Sequence, residues 1–483
     1  MTKFESETVG NTSLPLCVDL DGTLIQTDSL WESCLRLISQ KPFMLFLLPL
    51  WLFLGKAGFK DRVSNSIHLT PGSLPFNTHL LKFLTQQRLH NRHLVLVTAA
   101  NEKIAEDIAA HLNIFDEILA SNKTNNLSGK SKADALVEKY GEQGFVYAGN
   151  ANIDLNVWQH AAAAIVVNGS DSLIQKAKKL TMVEEVFPKE HKTSLKVILK
   201  AIRIHQWAKN MLIFTALILS HNWFNTDALE LSIFAFLSFS FAASSIYIIN
   251  DLIDLEADRK HRTKRNRPIA AGILSIQSAV TIVPFLIALS FFFASKINLD
   301  FVIILSVYLI LTTAYSLYLK PIALIDVITL TSLYTIRIVA GAVAVNVPLS
   351  YWLITFSMFI FLSLALIKRF SELKNLVQQG ETISLSRGYH TDDLPAVSLF
   401  GISSGYISVL VLVLYTHDLQ ADTLYSTPNW LWFVAIAVLY WISRMWLLAF
   451  RGKMNEDPVL FAIRDRNSYI VSLLVSLSIY LAL

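Results

Sequence analysis

Asn250, Asp251, Asp254 and Asp258 stand where a long apolar segment ends, and Arg259, Lys260, His261, Arg262, Lys264, Arg265 and Arg267 follow at once. On a helix, Asn250, Asp254 and Asp258 fall at i, i+4 and i+8 and share one face, with Asp251 just beside it. Carboxylates gathered in this way at the mouth of a membrane bundle suit a hard divalent cation, and Mg2+ so held usually carries substrate phosphates. A solvated loop obeying the positive-inside rule would account for the basic run alone. Three acids one turn apart repel one another unless something positive binds between them, which favours the metal reading. Asn250, Asp251, Asp254 and Asp258 are therefore expected as metal ligands, Asp254 and Asp258 also as catalytic groups, with Arg262 and Arg267 on the substrate.

Further polar clusters interrupt the apolar segments that follow. Arg203, Gln206, Lys209 and Asn210 open the first of them. Arg203 and Lys209 could snorkel to headgroups, but Gln206 and Asn210 are spaced like members of an inward polar face. Tyr315, Tyr318 and Lys320 precede Asp326, an acid inside an apolar segment, where it is costly unless paired or bound to a cation. A third group joins Lys368, Arg369 and Glu372 to Arg387 and Tyr389, and a fourth joins Arg451, Asp457 and Asp465. Arg203, Lys209 and Lys320 are candidates to hold phosphate, and Lys320 is also placed among the catalytic residues.

A different chemistry is legible near the start. Leu16-Cys17-Val18-Asp19-Leu20-Asp21-Gly22-Thr23 reads as a short buried strand ending in two aspartates and a glycine turn. Open α/β sheets bind ligands at such carboxyl ends of parallel strands. Apolar runs at 93–97 and 144–148 end in Thr98 and in Gly149-Asn150, with Asp154 a turn later and Lys132 on the helical stretch before it.

The elements that must position these groups follow from composition. The chain has 483 residues, 53% hydrophobic and 16% charged, with mean hydropathy +0.46, values that mark an integral membrane protein. Apolar segments near 208–220, 229–249, 276–294, 299–318, 322–343, 351–367, 396–416, 429–449 and 468–483 read as nine spans. If the first starts in the cytosol, the runs Arg259–Arg267, Lys368–Arg369–Lys374 and Arg451–Lys453–Arg464–Arg466 are all cytosolic. The opposite loops then contain Lys296 as their only Lys or Arg, as the positive-inside rule requires. Residues 1–10 are polar and acidic, so no secretory signal is expected before the first domain, and Cys17 and Cys34 are expected as reduced core residues. Pro42–Gly55 is apolar but too short to span, and suits a helix resting on a bilayer or buried in a core. Net charge is only +4, and no nucleic-acid partner is expected.

Over roughly residues 12–180 the chain resembles the haloacid-dehalogenase-like hydrolases, through Asp19–Thr23 followed in order by Thr98, Lys132 and Asp154. The resemblance implies that Asp19 is the phosphoryl-accepting nucleophile and Asp21 the general acid/base. It also implies that Thr98 and Lys132 stabilise the phosphate and that Asp19, Asp21 and Asp154 hold Mg2+. Asn150 stands where that family usually has an acid, which removes one negative charge from the metal site and leaves both a catalytic and a regulatory domain open. From about residue 195 onward the chain resembles the UbiA superfamily of intramembrane prenyltransferases, through the NDxxDxxxD pattern at Asn250–Asp258. More narrowly it is similar to the decaprenyl-phosphate phosphoribosyltransferases, through Arg203–Asn210, Tyr315-Ser316, Leu319-Lys320 with Asp326, Lys368-Arg369 with Glu372, Arg387–Tyr389, and Arg451-Gly452 with Asp457-Pro458.

The implied fold is an α/β domain over 1–185, with a helical cap about 30–90, followed over 186–483 by an all-α bundle. The implied reaction is Mg2+-dependent transfer of 5-phosphoribose from phosphoribosyl pyrophosphate to a polyprenyl phosphate, with removal of the 5-phosphate by the first domain as a sequel. Asp326 enters this reading as a further metal ligand, and a homo-oligomer is compatible with it. The site is expected on the cytosolic side of a bacterial inner membrane. Transfer of a prenyl group to an aromatic acceptor, and a lipid-binding scaffold without turnover, are the competing readings. Lys320 and the isolated Asp326, in place of a second DxxxD motif, disfavour a prenyl diphosphate held between two acidic clusters.

Overall fold

The computed structural model describes residues 14–189, 194–380, 383–384, 387–418, 424–454 and 457–483, so the polar stretch 1–10 lies outside the described residues. One compact unit comprises Met1–Ile202 with Ile248–Ile282, and the other Arg203–Tyr247 with Val283–Leu483.

The first unit begins with β1 (Leu16–Val18), after which the chain leaves the sheet for four helices, α1 (Ser29–Gln40), α2 (Met44–Trp51), α3 (Gly55–Asn65) and α4 (Thr78–Leu89). It returns through β2 (Leu94–Asn101), α5 (Glu102–Leu112), β3 (Glu117–Ser121), α6 (Lys130–Tyr140), β4 (Val146–Gly149), α7 (Leu155–Trp158), β5 (Ala163–Val167), α8 (Asp171–Leu180) and β6 (Met182–Phe187). The six strands form a sheet in the order β3-β2-β1-β4-β5-β6 with every pairing parallel. Side chains alternate across it with period two. Leu16, Val18, Leu94, Leu96, Val146 and Ala148 enter one core cluster, whereas Cys17, Val95, Val97 and Tyr147 enter the other. Both faces are thus covered, which explains why these strands read as unbroken apolar runs. The chain moves outward from β1 through β2 to β3 and then crosses back to set β4 on the other side of β1, so strand order reverses there and the carboxyl end of β1 opens into a crevice.

Four helices occupy the stretch between β1 and β2 where a cap is expected. Asp28 starts α1 by accepting the Leu30 and Trp31 N–H groups at 3.0 and 3.1 Å. The apolar stretch 42–55 contains only the eight-residue α2 and a 3-10 turn, and its Phe46 and Phe53 are 79% and 89% exposed. Cys17 and Cys34 are free and buried, and burial pushes both thiols up to about 12.

The chain continues through α9 (Leu195–Ala201), a 3-10 segment Ile204–Ile213, α10 (Phe214–Leu219), α11 (Thr226–Ile253), α12 (Leu255–Lys260), α13 (Ile276–Ala294), α14 (Leu299–Ala314) and α15 (Ile325–Ala344). It ends with α16 (Tyr351–Gln379), a short hairpin β7 (Ile383–Ser384) and β8 (Tyr389–His390), α17 (Leu394–Tyr415), α18 (Leu431–Phe450), α19 (Pro458–Arg464) and α20 (Arg466–Ala482). Seven helical segments among the described residues are long and apolar enough to cross a membrane, which makes this an integral membrane protein. The other two expected spans are shorter. Residues 208–220 are divided between the 3-10 segment and the six-residue α10, and α20 has 17 residues.

Gly341 shows why the 3-10 segment packs where it does. A Cβ there would lie 2.0 Å from the Ile213 carbonyl oxygen, so α15 reaches this backbone only because its residue has no side chain. Gly341→Val should therefore cost about 3 kcal/mol or more through overpacking, visible as a lower thermal midpoint in size-exclusion-monitored unfolding. A wild-type midpoint would refute this packing.

Candidate functional site

Asp19 is the first residue beyond β1, anchored by its own N–H to the Ala148 carbonyl at 3.0 Å. Lys132 crosses from α6 and donates to Asp19 Oδ1 at 2.6 Å, to the Tyr147 hydroxyl at 2.9 Å and to the Val97 carbonyl at 3.3 Å. The Tyr147 hydroxyl in turn donates to Asp154 Oδ1 at 3.1 Å, and the Asn150 and Ala151 N–H groups both donate to Asp154 Oδ2 at 2.9 Å. Asp21 accepts from the Ser29 N–H at 2.7 Å and the Ser29 hydroxyl at 3.1 Å. Burial, reinforced by Asp28, raises the Asp21 carboxyl above the usual range. Burial and then the Asp19 charge raise that of Asp154. A carboxyl raised in this way can carry a proton near neutrality, as a general acid must.

Asp19, Asp21, Lys132, Asn150 and Asp154 line a single cavity of about 650 Å³. Gly22 makes its turn at φ +73°, and a Cβ there would fall 2.1 Å from Asn150 Nδ2. The amide thus packs directly against the turn that follows Asp21. Thr98 lies within β2 rather than after it. It is fully buried, its hydroxyl accepts the Ala100 N–H at 2.9 Å, and Ala99, Ala100 and Asn101 reach the cavity instead. Sequence reasoning missed Lys60, which enters the cavity from α3 and donates to the Ala99 carbonyl at 2.7 Å and to Asn126 at 2.9 Å. A lysine in the cap helix was the available signal.

The aspartate motif does not lie on one continuous helix. α11 ends at Ile253, Asp254 breaks the helix at φ −86° and ψ 10°, and α12 begins at Leu255. The carboxylates brought together are Asp251 and Asp258, 3% and 1% exposed. Arg267 Nη1 donates to both, at 3.1 Å to Asp251. Two buried carboxylates sharing one cationic nitrogen form a donor set that fits a divalent cation, with Asn250 just before the pair and Asp254 between its members in sequence. Among the described residues no three His, Cys, Asp or Glu side chains close around one point. Arg262 is exposed.

The second unit has its own charge clusters. Lys209 and Lys368 donate to Asp457 Oδ2 at 2.9 and 3.3 Å. Asp326, expected as a metal ligand, is engaged as a counter-ion: Arg369 Nε lies 3.0 Å and Arg387 3.9 Å from its Oδ2, while the Tyr389 hydroxyl donates to Oδ1 at 2.7 Å. Glu372 pairs with Arg369 and, at 3.4 Å, with Arg387, which also donates to the Tyr315 hydroxyl at 3.0 Å. Tyr315–Leu319 is a π-helical turn, a deformation found most often at functional sites. Lys320 follows it and is half-buried, whereas Tyr318 is 62% exposed.

Arg203 stacks 5.1 Å from the Tyr247 ring, Gln206 is half-buried and Arg451 is exposed. Asp465 pairs with Arg444 at 2.7 Å. Asn210 is buried between the Ser240 hydroxyl, 3.0 Å away, and Arg337, whose Nε donates to it at 2.7 Å. Arg337 went unnoticed in the sequence, although an arginine inside an apolar segment is as informative as the aspartate at 326.

The sequence profile of the UbiA prenyltransferase family matches residues 211–469. The uncharacterized protein y4nM of Sinorhizobium fredii is 36% identical over 97% of this chain and 91% of its own length. Nodulation protein NoeC of Azorhizobium caulinodans is 34% identical over 58% of this chain and 91% of its own. The decaprenyl-phosphate phosphoribosyltransferase of Mycobacterium tuberculosis is 35% identical over 44% of this chain and 71% of its own.

Removing one partner of a buried ion pair strands the other and costs about 3–5 kcal/mol. Lys132→Met should therefore lower thermal stability sharply, and adding Asp19→Asn to it should restore most of the loss. Strictly additive losses in chemical denaturation would show that the two groups do not interact.

Proposed function

The chain belongs to the UbiA prenyltransferase family, and from that premise we propose that it moves a 5-phosphoribosyl group from phosphoribosyl pyrophosphate to a long-chain polyprenyl phosphate, releasing pyrophosphate. The observation that carries this reading is the excess of positive charge in the second unit. Among the described residues, Lys209, Lys368, Arg369 and Arg387 pair with Asp326, Glu372 and Asp457. Asp326 meets two guanidinium groups, whereas Asp251 and Asp258 share one, so a second net-negative, metal-holding cluster has no support and anionic substrates with more phosphate than a prenyl diphosphate are favoured. Similarity to a decaprenyl-phosphate phosphoribosyltransferase points the same way.

In this reaction an acceptor phosphate oxygen bonds to the anomeric carbon as the bond from that carbon to pyrophosphate breaks. Asp251, Asp254 and Asp258, with Asn250, would hold Mg2+, which when bound neutralises charge on the departing pyrophosphate. Lys209, Lys320 and Lys368 offer positive charge to the phosphates. The acceptor is already ionised at neutral pH, so positioning matters more than a general base. The polyprenyl tail stays among the apolar helices, and the reacting groups meet on the cytosolic side of a bacterial inner membrane.

The first domain, over 1–185, is read as a phosphomonoesterase acting on the 5-phosphate that the product retains. Asp19 would attack phosphorus beside Lys132, and Asp21 would protonate the departing ribose oxygen and then take a proton from water. Asp19 and Asp154 would hold its Mg2+. Four carboxylates, Asp19, Asp21, Asp28 and Asp154, stand against three lysines, Lys60, Lys132 and Lys189, on the cavity wall, so its formal charge stays negative even with Asn150 in place of an acid.

Purified protein given phosphoribosyl pyrophosphate, Mg2+ and polyprenyl phosphate should release pyrophosphate and form a phosphoribosylated lipid. Prenylation of an aromatic acid with no such lipid would sink the assignment. Asp254→Asn and Asp258→Asn should each lower turnover by about 100-fold or more, the scale of a lost electrostatic contact to the leaving group, with folding retained. In Asp19→Asn, pyrophosphate release should persist while mass spectrometry finds the lipid still carrying its 5-phosphate. Loss of both steps in that folded variant would refute the division of labour.

A further inference from the structure

Arg259 directly follows Asp258, and its guanidinium forms a two-pronged ion pair with Glu32 of α1 at 2.6 and 3.1 Å, the two side chains being 8% and 7% exposed. Glu32 also accepts from the Thr27 hydroxyl at 2.7 Å, and the Thr27 carbonyl accepts the Gly22 N–H at 3.1 Å. One carboxylate therefore ties the nucleophile loop to the chain just after the aspartate motif. Arg259 Nε donates onward to the Ala270 carbonyl at 3.1 Å. Two residues later, Gly272 takes φ +71°, and a Cβ there would lie 3.2 Å from both Gln26 Cβ and the Gln26 carbonyl oxygen. All these residues belong to the same compact unit.

This clamp leaves Gly272, Ile273, Ser275, Gln277 and Ser278 on the wall of the cavity that holds Asp19 and Lys132. Ser275 caps the first turn of α13 by accepting the Ser278 N–H at 3.1 Å. Gln277 and Ser278 have exposed side chains. They bring an amide and a hydroxyl, the latter 2.8 Å from the Ser275 hydroxyl, each able to donate and to accept, into a cavity whose charged groups lie on the 19–28 segment, on α3 and α6, and at Asp154 and Lys189. Neutral groups with both capacities match sugar hydroxyls rather than phosphate.

We propose that Gln277 and Ser278 are specificity-determining residues of the phosphatase-like cavity, reading the hydroxyl groups of a phosphorylated sugar, and that Glu32, through Arg259, is the positioning residue that holds this wall in place. The assignment rests on the phosphomonoesterase reading for its substrate class. It adds that the segment following the aspartate motif, outside residues 1–185, selects what that cavity accepts.

The test uses the full-length protein carrying Asp254→Asn, which weakens phosphate binding at the aspartate motif, with Mg2+ present. Calorimetric affinities for ribose 5-phosphate and for inorganic phosphate should differ by about tenfold, the size of one or two neutral hydrogen bonds. Adding Gln277→Ala or Glu32→Gln should reduce that ratio to about threefold or less, while the affinity for inorganic phosphate stays within about twofold. A ratio unchanged in both variants, or an equal loss of both ligands, overturns the proposal. Phosphate release from ribose 5-phosphate is measured alongside. A selective ratio without release refutes the hydrolytic reading while upholding the wall, and release with no selectivity in the reference chain overturns the wall alone.

Discussion

One nitrogen of Arg267 contacts two carboxylates, Asp251 and Asp258, that are almost wholly withdrawn from water. Burying an uncompensated carboxylate costs several kcal/mol, so a motif of this kind persists only with positive charge held against it. The same constraint recurs wherever the chain concentrates polar chemistry. Lys132 answers Asp19, Arg259 answers Glu32, Lys209 and Lys368 answer Asp457, and Arg369 answers Asp326. Asp21 and Asp154 are the exceptions, held by hydroxyl and N–H donors rather than by a cation, and burial raises both carboxyls.

The parallel sheet solves a different part of the problem. Its central strand carries apolar residues to both faces, and the first residue free of those packing demands is Asp19. Strand order reverses at β1, so the crevice beyond it is walled by segments far apart in sequence, including α6, the turn after β4 and the cap. Asn150 is instructive here. Its amide lies against Gly22, where a carboxylate would add charge beside Asp19, so the site keeps both aspartates of the 19–23 turn with one negative charge fewer.

Family membership and physical detail bear on different questions. The UbiA assignment covers the apolar helices and the aspartate motif but leaves substrate choice to local chemistry. Asp326 illustrates the point. A second metal-holding cluster would need carboxylates that outnumber the cations against them, as Asp251 and Asp258 outnumber Arg267, whereas Asp326 meets both Arg369 and Arg387. The proposed phosphoribosyl donor follows from that pairing and from the neighbouring cations rather than from the fold.

Much of the architecture was legible in the residues because it depends on local pattern. The unbroken apolar runs that became β1, β2 and β4, the long apolar helices, the DxDGT turn and the NDxxDxxxD motif all follow from short-range hydrophobic spacing and residue type. The sequence also located the charged clusters, since a charge inside an apolar segment is conspicuous. It could not assign partners. Whether Asp326 faces a metal or a guanidinium, and whether Asp258 is joined by Asp254 or by Asp251, depends on where separate segments meet. The helix break at Asp254, the nitrogen that Arg267 places between two acids and the Glu32–Arg259 clamp were likewise decided only by tertiary structure. The physical reason is that hydrophobic periodicity acts over a few residues, whereas the balance between burying a charge and pairing it is settled by side chains up to hundreds of positions apart.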